Sequence, residues 1–247
     1  MIEWWIGCSG FHYKHWKEIF YPHKLPQTRW FEFYCQHFNT LEINVTFYRF
    51  PRLAAMQVWH KQSPDRFRFA VKVPKAITHY KKFIGTENML SDFYNTSREG
   101  LGKKLGCVLF QLSPRSTYTE ERLGRIIESL DYSFTNVLEF RHPSWWSEEV
   151  YRKLARHKIS FCGMSHPGLP ADVVQNTKNL YYRFHGVPEL YKSKYDFKYL
   201  KEFADQVQHS KTTRTAFLYF NNDIGGSAIG NAQDLLAYCR SLRETNA

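Results

Sequence analysis

Several signals that would place this chain in a familiar class are missing from it. No apolar run approaches the roughly 18–20 residues needed to span a bilayer, so no transmembrane helix and no membrane partner are expected. The opening Met1-Ile2-Glu3-Trp4-Trp5-Ile6 has no basic stretch ahead of its apolar residues and reads as a strand, not a signal peptide. Cysteine is scarce: Cys8, Cys35, Cys107, Cys162 and Cys239 are odd in number, widely spaced and free of C-x-x-C pairs. That pattern excludes a disulfide framework or a structural zinc, and it points to a reducing, cytoplasmic compartment. There is no G-x-S-x-G, no H-x-H and no H-E-x-x-H, and the first apolar run ends in Gly7-Cys8-Ser9-Gly10 instead of a dinucleotide-binding G-x-G-x-x-G. No repeat, low-complexity linker or composition break divides residues 1–247, so one domain is expected across them. Acid is the scarcer charge, with 23 Asp and Glu against 34 Lys and Arg. The net +11 favours anionic partners, and Lys61 to Lys82 is its densest stretch.

What is present is core material. Apolar residues make up 43% of the 247, and aromatics 17%, which excludes disorder. Short runs rich in β-branched and aromatic residues recur at Ile2–Cys8, Thr40–Val45, Phe67–Val73, Gly106–Leu112, Asn136–Phe140, Ile159–Met164, Leu180–His185 and Thr215–Phe220. Amphipathic stretches alternate with them. Thr28 is placed to cap a helix carrying Trp30, Phe31, Tyr34 and Phe38, and Thr117 or Thr119 another carrying Leu123, Ile126, Ile127 and Leu130. Further stripes run from Phe197 to Val207 and from Leu235 to Leu242, whereas Met164 to Asn179, with Pro167 and Pro170, leaves room for little helix. Eight strands alternating with helices predict an α/β fold, a single (β/α)8 TIM-type barrel with a parallel sheet.

In such a barrel, alternate strand residues face the lumen, and ligands bind at the C-terminal strand ends. Polar residues enter the strands there, on one parity: Glu42 and Asn44, Lys72, Gln111, Glu139 and Arg141, Arg183 and His185, then Asn221 and Asp223. Buried charge is costly, so a convergent set of this kind predicts a ligand site or active site. The catalytic candidates are Glu42, Lys72, Glu139 and His185. Glu139 would be a general base whose pKa is raised by Glu42, and His185 a second acid–base group. Lys72, Arg141 and Arg183 would hold an anion, with Asn44, Gln111 and Asn221 orienting hydroxyls. Asn222, Asp223, Gly225 and Gly226 open a glycine-rich loop into the last helix, a place where barrels frequently bind phosphate. Tyr48 and Trp145 are candidate aromatic walls, with one of Trp145 and Trp146 expected in the pocket and the other under the following helix. Cys8 falls on the helix-facing parity and reads as packing.

No cofactor is required. A divalent metal on Glu42, Glu139, His185 and Asp223 is conceivable, but three cations share the same lumen and would repel it. The favoured reading is an enzyme acting on a small anionic metabolite, phosphorylated or carboxylated, with hydrolase, lyase and isomerase chemistry all open. The alternatives are a nucleic-acid binder or nuclease-like protein, using the basic charge and top-face aromatics such as Tyr13, Tyr48 and Tyr80, and a non-catalytic ligand sensor. Nothing in the sequence sets an oligomeric state.

The ordered motifs Ile6-Gly7-Cys8-Ser9-Gly10-Phe11, Phe38-Asn39-Thr40-Leu41-Glu42-Ile43-Asn44-Val45-Thr46-Phe47-Tyr48, Val71-Lys72-Val73-Pro74, Phe110-Gln111-Leu112, Glu139-Phe140-Arg141-His142-Pro143, Arg183-Phe184-His185-Gly186 and Phe220-Asn221-Asn222-Asp223 resemble the YecE-like family, the domain of unknown function 72. The likeness covers nearly the whole chain. It implies a TIM-type barrel and no established activity, with apurinic endonucleases as an analogy of fold only. Cys8 stands where Thr is more usual, and the stretch after Met164 is short.

Overall fold

Parallel strands buried on both faces must carry apolar side chains toward the lumen and toward the helices alike, and these do. In the computed structural model, which describes residues 1–244, eight parallel strands close into a barrel in sequence order. They are β1 (Glu3–Cys8), β2 (Thr40–Ile43), β3 (Arg68–Lys72), β4 (Leu105–Gln111), β5 (Asn136–Glu139), β6 (Ser160–Ser165), β7 (Asn179–Phe184) and β8 (Thr215–Phe220). The last strand seals against the first, with Glu3 beside Thr215 and Cys8 beside Phe220. The expected (β/α)8 barrel is therefore observed; residues 245–247 of the expected domain lie outside the described residues.

The surrounding helices are α1 (Trp30–His37), the single turn α2 (Val45–Tyr48), α3 (Leu53–Gln62), α4 (Glu87–Leu101), α5 (Glu120–Ser129), α6 (Glu148–Arg156), α7 (Phe197–Gln208) and α8 (Ser227–Glu244). Three of the starts follow side-chain capping chemistry. Thr119 accepts from the Arg122 N–H, Ser147 from the Val150 N–H and Asp196 from the Tyr199 N–H. Thr28 does not cap α1; it lies inside a 3-10 turn, Gln27–Arg29, that leads directly into Trp30. Val45, expected to end the second strand, instead opens α2.

No helix follows β6. Its connection to β7 lies flat on the strands, and a Cβ at Gly163 would sit 2.7 Å from the Tyr182 ring and 2.8 Å from the Asp172 carbonyl. Asn176 pins this segment, accepting from the Phe161 N–H and donating to the Ile159 carbonyl.

The outer core packs strands against helices, while a separate inner cluster fills the lower lumen with Trp5, Ala70, Leu109, Val137, Tyr181 and Phe217 among others. All five cysteines are free thiols; Cys8 is buried in the outer core, as its parity predicts. Among the described residues no helix is long and apolar enough to cross a membrane.

Candidate active site

The lumen parity that carries Ala70, Leu109, Val137 and Tyr181 at the bottom carries Lys72, Gln111, Glu139 and Arg183 one step higher. The structure brings these together with Glu42 in a buried ionic layer. Arg183, 1% exposed, sits between two fully buried carboxylates, 2.6 Å from Glu42 Oε1 and 2.8 Å from Glu139 Oε2. Tyr181 donates to Glu42 Oε2 at 2.6 Å. Glu139 Oε1 accepts from Arg141 Nε at 2.5 Å and from Gln111 Nε2 at 3.0 Å. Few buried carboxylates are better paired, which is the condition for keeping the charge at all.

This pairing shifts the Glu139 carboxyl opposite to the rise expected from Glu42. Burial alone would raise its pKa, but Arg141 and Arg183 outweigh burial and hold the carboxyl well below the usual range. Glu42 cannot raise it, because Arg183 stands between them. Glu139 is thus held ionised as a counter-charge to Arg141 and Arg183. His185 is also shifted by its neighbours. It is fully buried, with Arg141 donating toward Nε2 at 3.1 Å and Asn221 Nδ2 lying 3.0 Å from Nδ1. Burial, then the neighbouring Arg141 and Arg183, push its pKa well down. Its protonation is disfavoured where it packs between Arg141 and Asn221.

Above the layer lies a cavity of about 400 Å³. Lys72, Arg141 and Arg183 line it with Asn44, Gln111, Asn221, Tyr48 and Asp223, so these predicted residues share one space. Tyr13, Phe47 and Tyr191 line it as well. Asp223 is the one acidic side chain on this lining; burial raises its carboxyl, and His15 lies 3.7 Å away. Two buried polar atoms at the site have no protein partner, Asn44 Oδ1 and Arg183 Nε. Asn44 also borders a second, more apolar cavity of about 540 Å³ that includes Phe11, Ile43 and Trp59.

Lys72 is the unusual member. It is 7% exposed, and its Nζ lies 4.1 Å from the centre of the Phe47 ring. Among the described residues no carboxylate comes within 4.0 Å of that nitrogen. Burial and the nearby Arg183 outweigh Glu139 and Glu42 and bring its pKa down to about 7. The chain then forms a π-helical turn, Ala76–Tyr80, whose His79 is also held below its ordinary pKa by burial and by Lys72.

Other predicted residues are placed elsewhere. Trp145 is fully buried, stacked on the helix-facing Phe140 at 4.1 Å, with its Nε1 donating to the Ser116 carbonyl. Trp146 packs edge-on against Phe161, so neither tryptophan walls the cavity. Asn222 is fully buried and ties its loop together, donating to the Ser193 carbonyl and to Asn231 Oδ1. The Gly225–Gly226 turn needs glycine for its backbone, with φ of 73° and 76°, but it does not reach the cavity. The Gly226 N–H already donates to the Asp223 carbonyl, and a Cβ there would meet Ile19 at 2.7 Å. The positive φ and the packing against Ile19 account for that glycine. The donors conceived for a metal are likewise dispersed. Among the described residues no three His, Cys, Asp or Glu side chains converge on a point, and Glu42 and Glu139 are spent on arginine.

Sequence reasoning passed over Tyr181 and Phe47. Tyr181 shares Arg183's parity two residues earlier and was legible as part of the same lumen stack. Phe47 follows β2 in a turn, where parity carries no information.

Comparison with known proteins agrees with this architecture. The family profile described as "Protein of unknown function DUF72" matches residues 5–246. The UPF0759 protein YunF of Bacillus subtilis is 25% identical over 94% of this chain and 93% of its own. The UPF0759 protein YecE of Escherichia coli K12 is 30% identical over 47% of this chain and 43% of its own. A crystal structure of a DUF72 family protein from Thermotoga maritima superposes with a TM-score of 0.86 at 27% identity, covering 96% of this chain and 99% of that one. A second, from Enterococcus faecalis, shares the fold with a TM-score of 0.81 at 20% identity, over 96% and 95% of the two chains.

Proposed function

This chain belongs to the DUF72 family, and on that premise we propose that the cavity above the ionic layer is the active site of an enzyme acting on a small anionic metabolite, phosphorylated or carboxylated. One observation carries the reading. Lys72, Arg141 and Arg183 meet the cavity against Asp223 alone, while Glu42 and Glu139 lie beneath, committed to arginine. A volume of about 400 Å³ suits a metabolite-sized ligand. The unpartnered Arg183 Nε is a donor awaiting an acceptor, and Asn44 Oδ1 an acceptor suited to a hydroxyl. Arg141 is the anion's main partner, because it reaches the cavity while anchored through Nε to Glu139.

The test compares thermal melting in phosphate and in chloride at matched ionic strength, for the wild type and for Arg141→Met. Phosphate is expected to raise the melting temperature beyond chloride, and the excess to vanish in Arg141→Met. Equal shifts in the two salts, or an excess that survives the substitution, would overturn the anion site.

The rim supports a second reading. Tyr48 and Tyr80 are both exposed, and Lys75 Nζ lies 5.4 and 5.5 Å from their ring centres. Exposed aromatics interleaved with lysine suit stacking of single-stranded nucleic acid. Oligonucleotide binding that falls steeply with added salt and drops on Tyr48→Ala would favour that reading over a metabolite.

A further inference from the structure

We infer that Lys72 is a covalent nucleophile, its side-chain amine condensing with the carbonyl carbon of a small aldehyde or keto compound whose anionic group rests on Arg141. The inference rests on the proposed anion site and adds to it the bond that forms there.

The geometry is that of a buried amine with no carboxylate at ion-pair distance. Lysine is almost never fully buried without a partner, yet Lys72 is 7% exposed and has no carboxylate in reach. On one side its water is replaced by the Phe47 ring. The charged groups acting on it are Arg183 from β7, Glu139 and Arg141 from β5 and beyond, Glu42 from β2, and His79 from its own following turn. Both carboxylates are bonded to Arg183, and neither forms an ion pair with Lys72. Desolvation beside another cation is the arrangement that activates an amine as a nucleophile. A structural lysine would have been cheaper as methionine, and a purely anion-binding one would gain from staying charged. Lys104 supplies the contrast: its buried ammonium donates to the His60 and Ser63 carbonyls and to Ser63 Oγ, and so is fully satisfied.

The chemistry balances without a cofactor. The neutral Lys72 Nζ lone pair attacks the carbonyl carbon, and the C=O π pair moves onto oxygen. A proton passes from nitrogen to that oxygen, giving a carbinolamine. With one further proton taken from solvent the hydroxyl leaves as water, and the nitrogen lone pair closes the C=N bond of an iminium. The iminium then draws electrons from the adjacent carbon, as carbon–carbon bond cleavage or proton loss next to a carbonyl requires.

Reductive trapping tests this on the whole protein, with pyruvate and dihydroxyacetone phosphate as probes and borohydride as reductant. Peptide mapping is expected to find the reduced adduct on Lys72, enriched about tenfold or more over surface lysines near pH 7. Labelling should be half-maximal near pH 7, where the amine loses its proton, and should disappear in Lys72→Met, whose fold is checked by its melting curve. Absence of trapping by both probes, or labelling of Lys72 no greater than of surface lysines, overturns the covalent role. If trapping fails while the phosphate-specific stabilisation persists, the anion site stands without the bond; if both fail, both readings fall together.

Discussion

The two ends of the barrel lumen are built from the same alternate positions of the same strands and are filled in opposite ways. Toward the strand N-termini, Trp5, Cys107, Leu109, Val137 and Phe217 pack into an apolar plug. One lumen step onward, Ala70 gives way to Lys72, Leu109 to Gln111, Val137 to Glu139 and Tyr181 to Arg183. The lower end does what folding asks of a core. The upper end spends stability on desolvated charge, and a chain selected for stability alone would have continued the plug. Tyr181 and Tyr219 join the two: their rings sit in the plug, and their hydroxyls reach Glu42 and Thr40.

The contrast can be broken hardest at Arg183. Arg183→Met leaves Glu42 with no cationic partner and should cost about 3–5 kcal/mol in a denaturant titration. Adding Glu42→Leu should restore part of that loss, because an apolar replacement of a buried ion pair is often neutral. A double variant no more stable than Arg183→Met alone would mean that the upper layer is held by something other than its charges.

Lys72→Met sharpens the comparison through pH. The unfolded lysine keeps its proton to about pH 10.4, while the folded one loses it near pH 7. Between these values the unfolded chain binds more protons, so this group makes the folded state gain stability as pH rises, and it carries its full burial cost below pH 7. Lys72→Met should therefore be more stable than wild type below neutrality. Its advantage should shrink by up to about 1.4 kcal/mol per pH unit above pH 7. A pH-independent difference would show that Lys72 stays charged.

Smaller effects belong to the two tyrosines at the boundary. Tyr181→Phe removes a hydrogen bond to a buried carboxylate and should cost about 2 kcal/mol, and Tyr219→Phe removes a neutral one and should cost about 1 kcal/mol. Equal costs in equilibrium unfolding would deny that charge distinguishes the layers.

Much of this was legible in residue order. Short apolar runs rich in β-branched and aromatic residues located all eight strands, and the polar parity picked out Glu42, Lys72, Glu139 and Arg183 as neighbours. Parity could say who meets but not who pairs, so it did not show that Glu139 is held by two arginines. It also failed beyond the strand ends, where Trp145 and the glycine turn follow loop packing. The helices α3 and α4 were passed over, although Leu90, Phe93, Tyr94 and Leu101 of α4 carry helical spacing; Gly100, where a Cβ would meet Met56 at 2.5 Å, interrupts the pattern.

The bare connection after β6 gives the barrel a seam. Every other strand is followed by at least one helix, but the outer face of β6 and β7 is covered there by an irregular strap held by Asn176 and the buried Val174. Local opening follows the cheapest cooperative unit, and a strap without its own hydrogen-bonded ladder is cheaper to lift than a helix. Amide protons of β6 and β7 should therefore exchange with solvent deuterium ahead of those in β3 and β4. Since β7 carries Arg183, opening that reaches the β7 amides would also loosen the strand that holds the ionic layer.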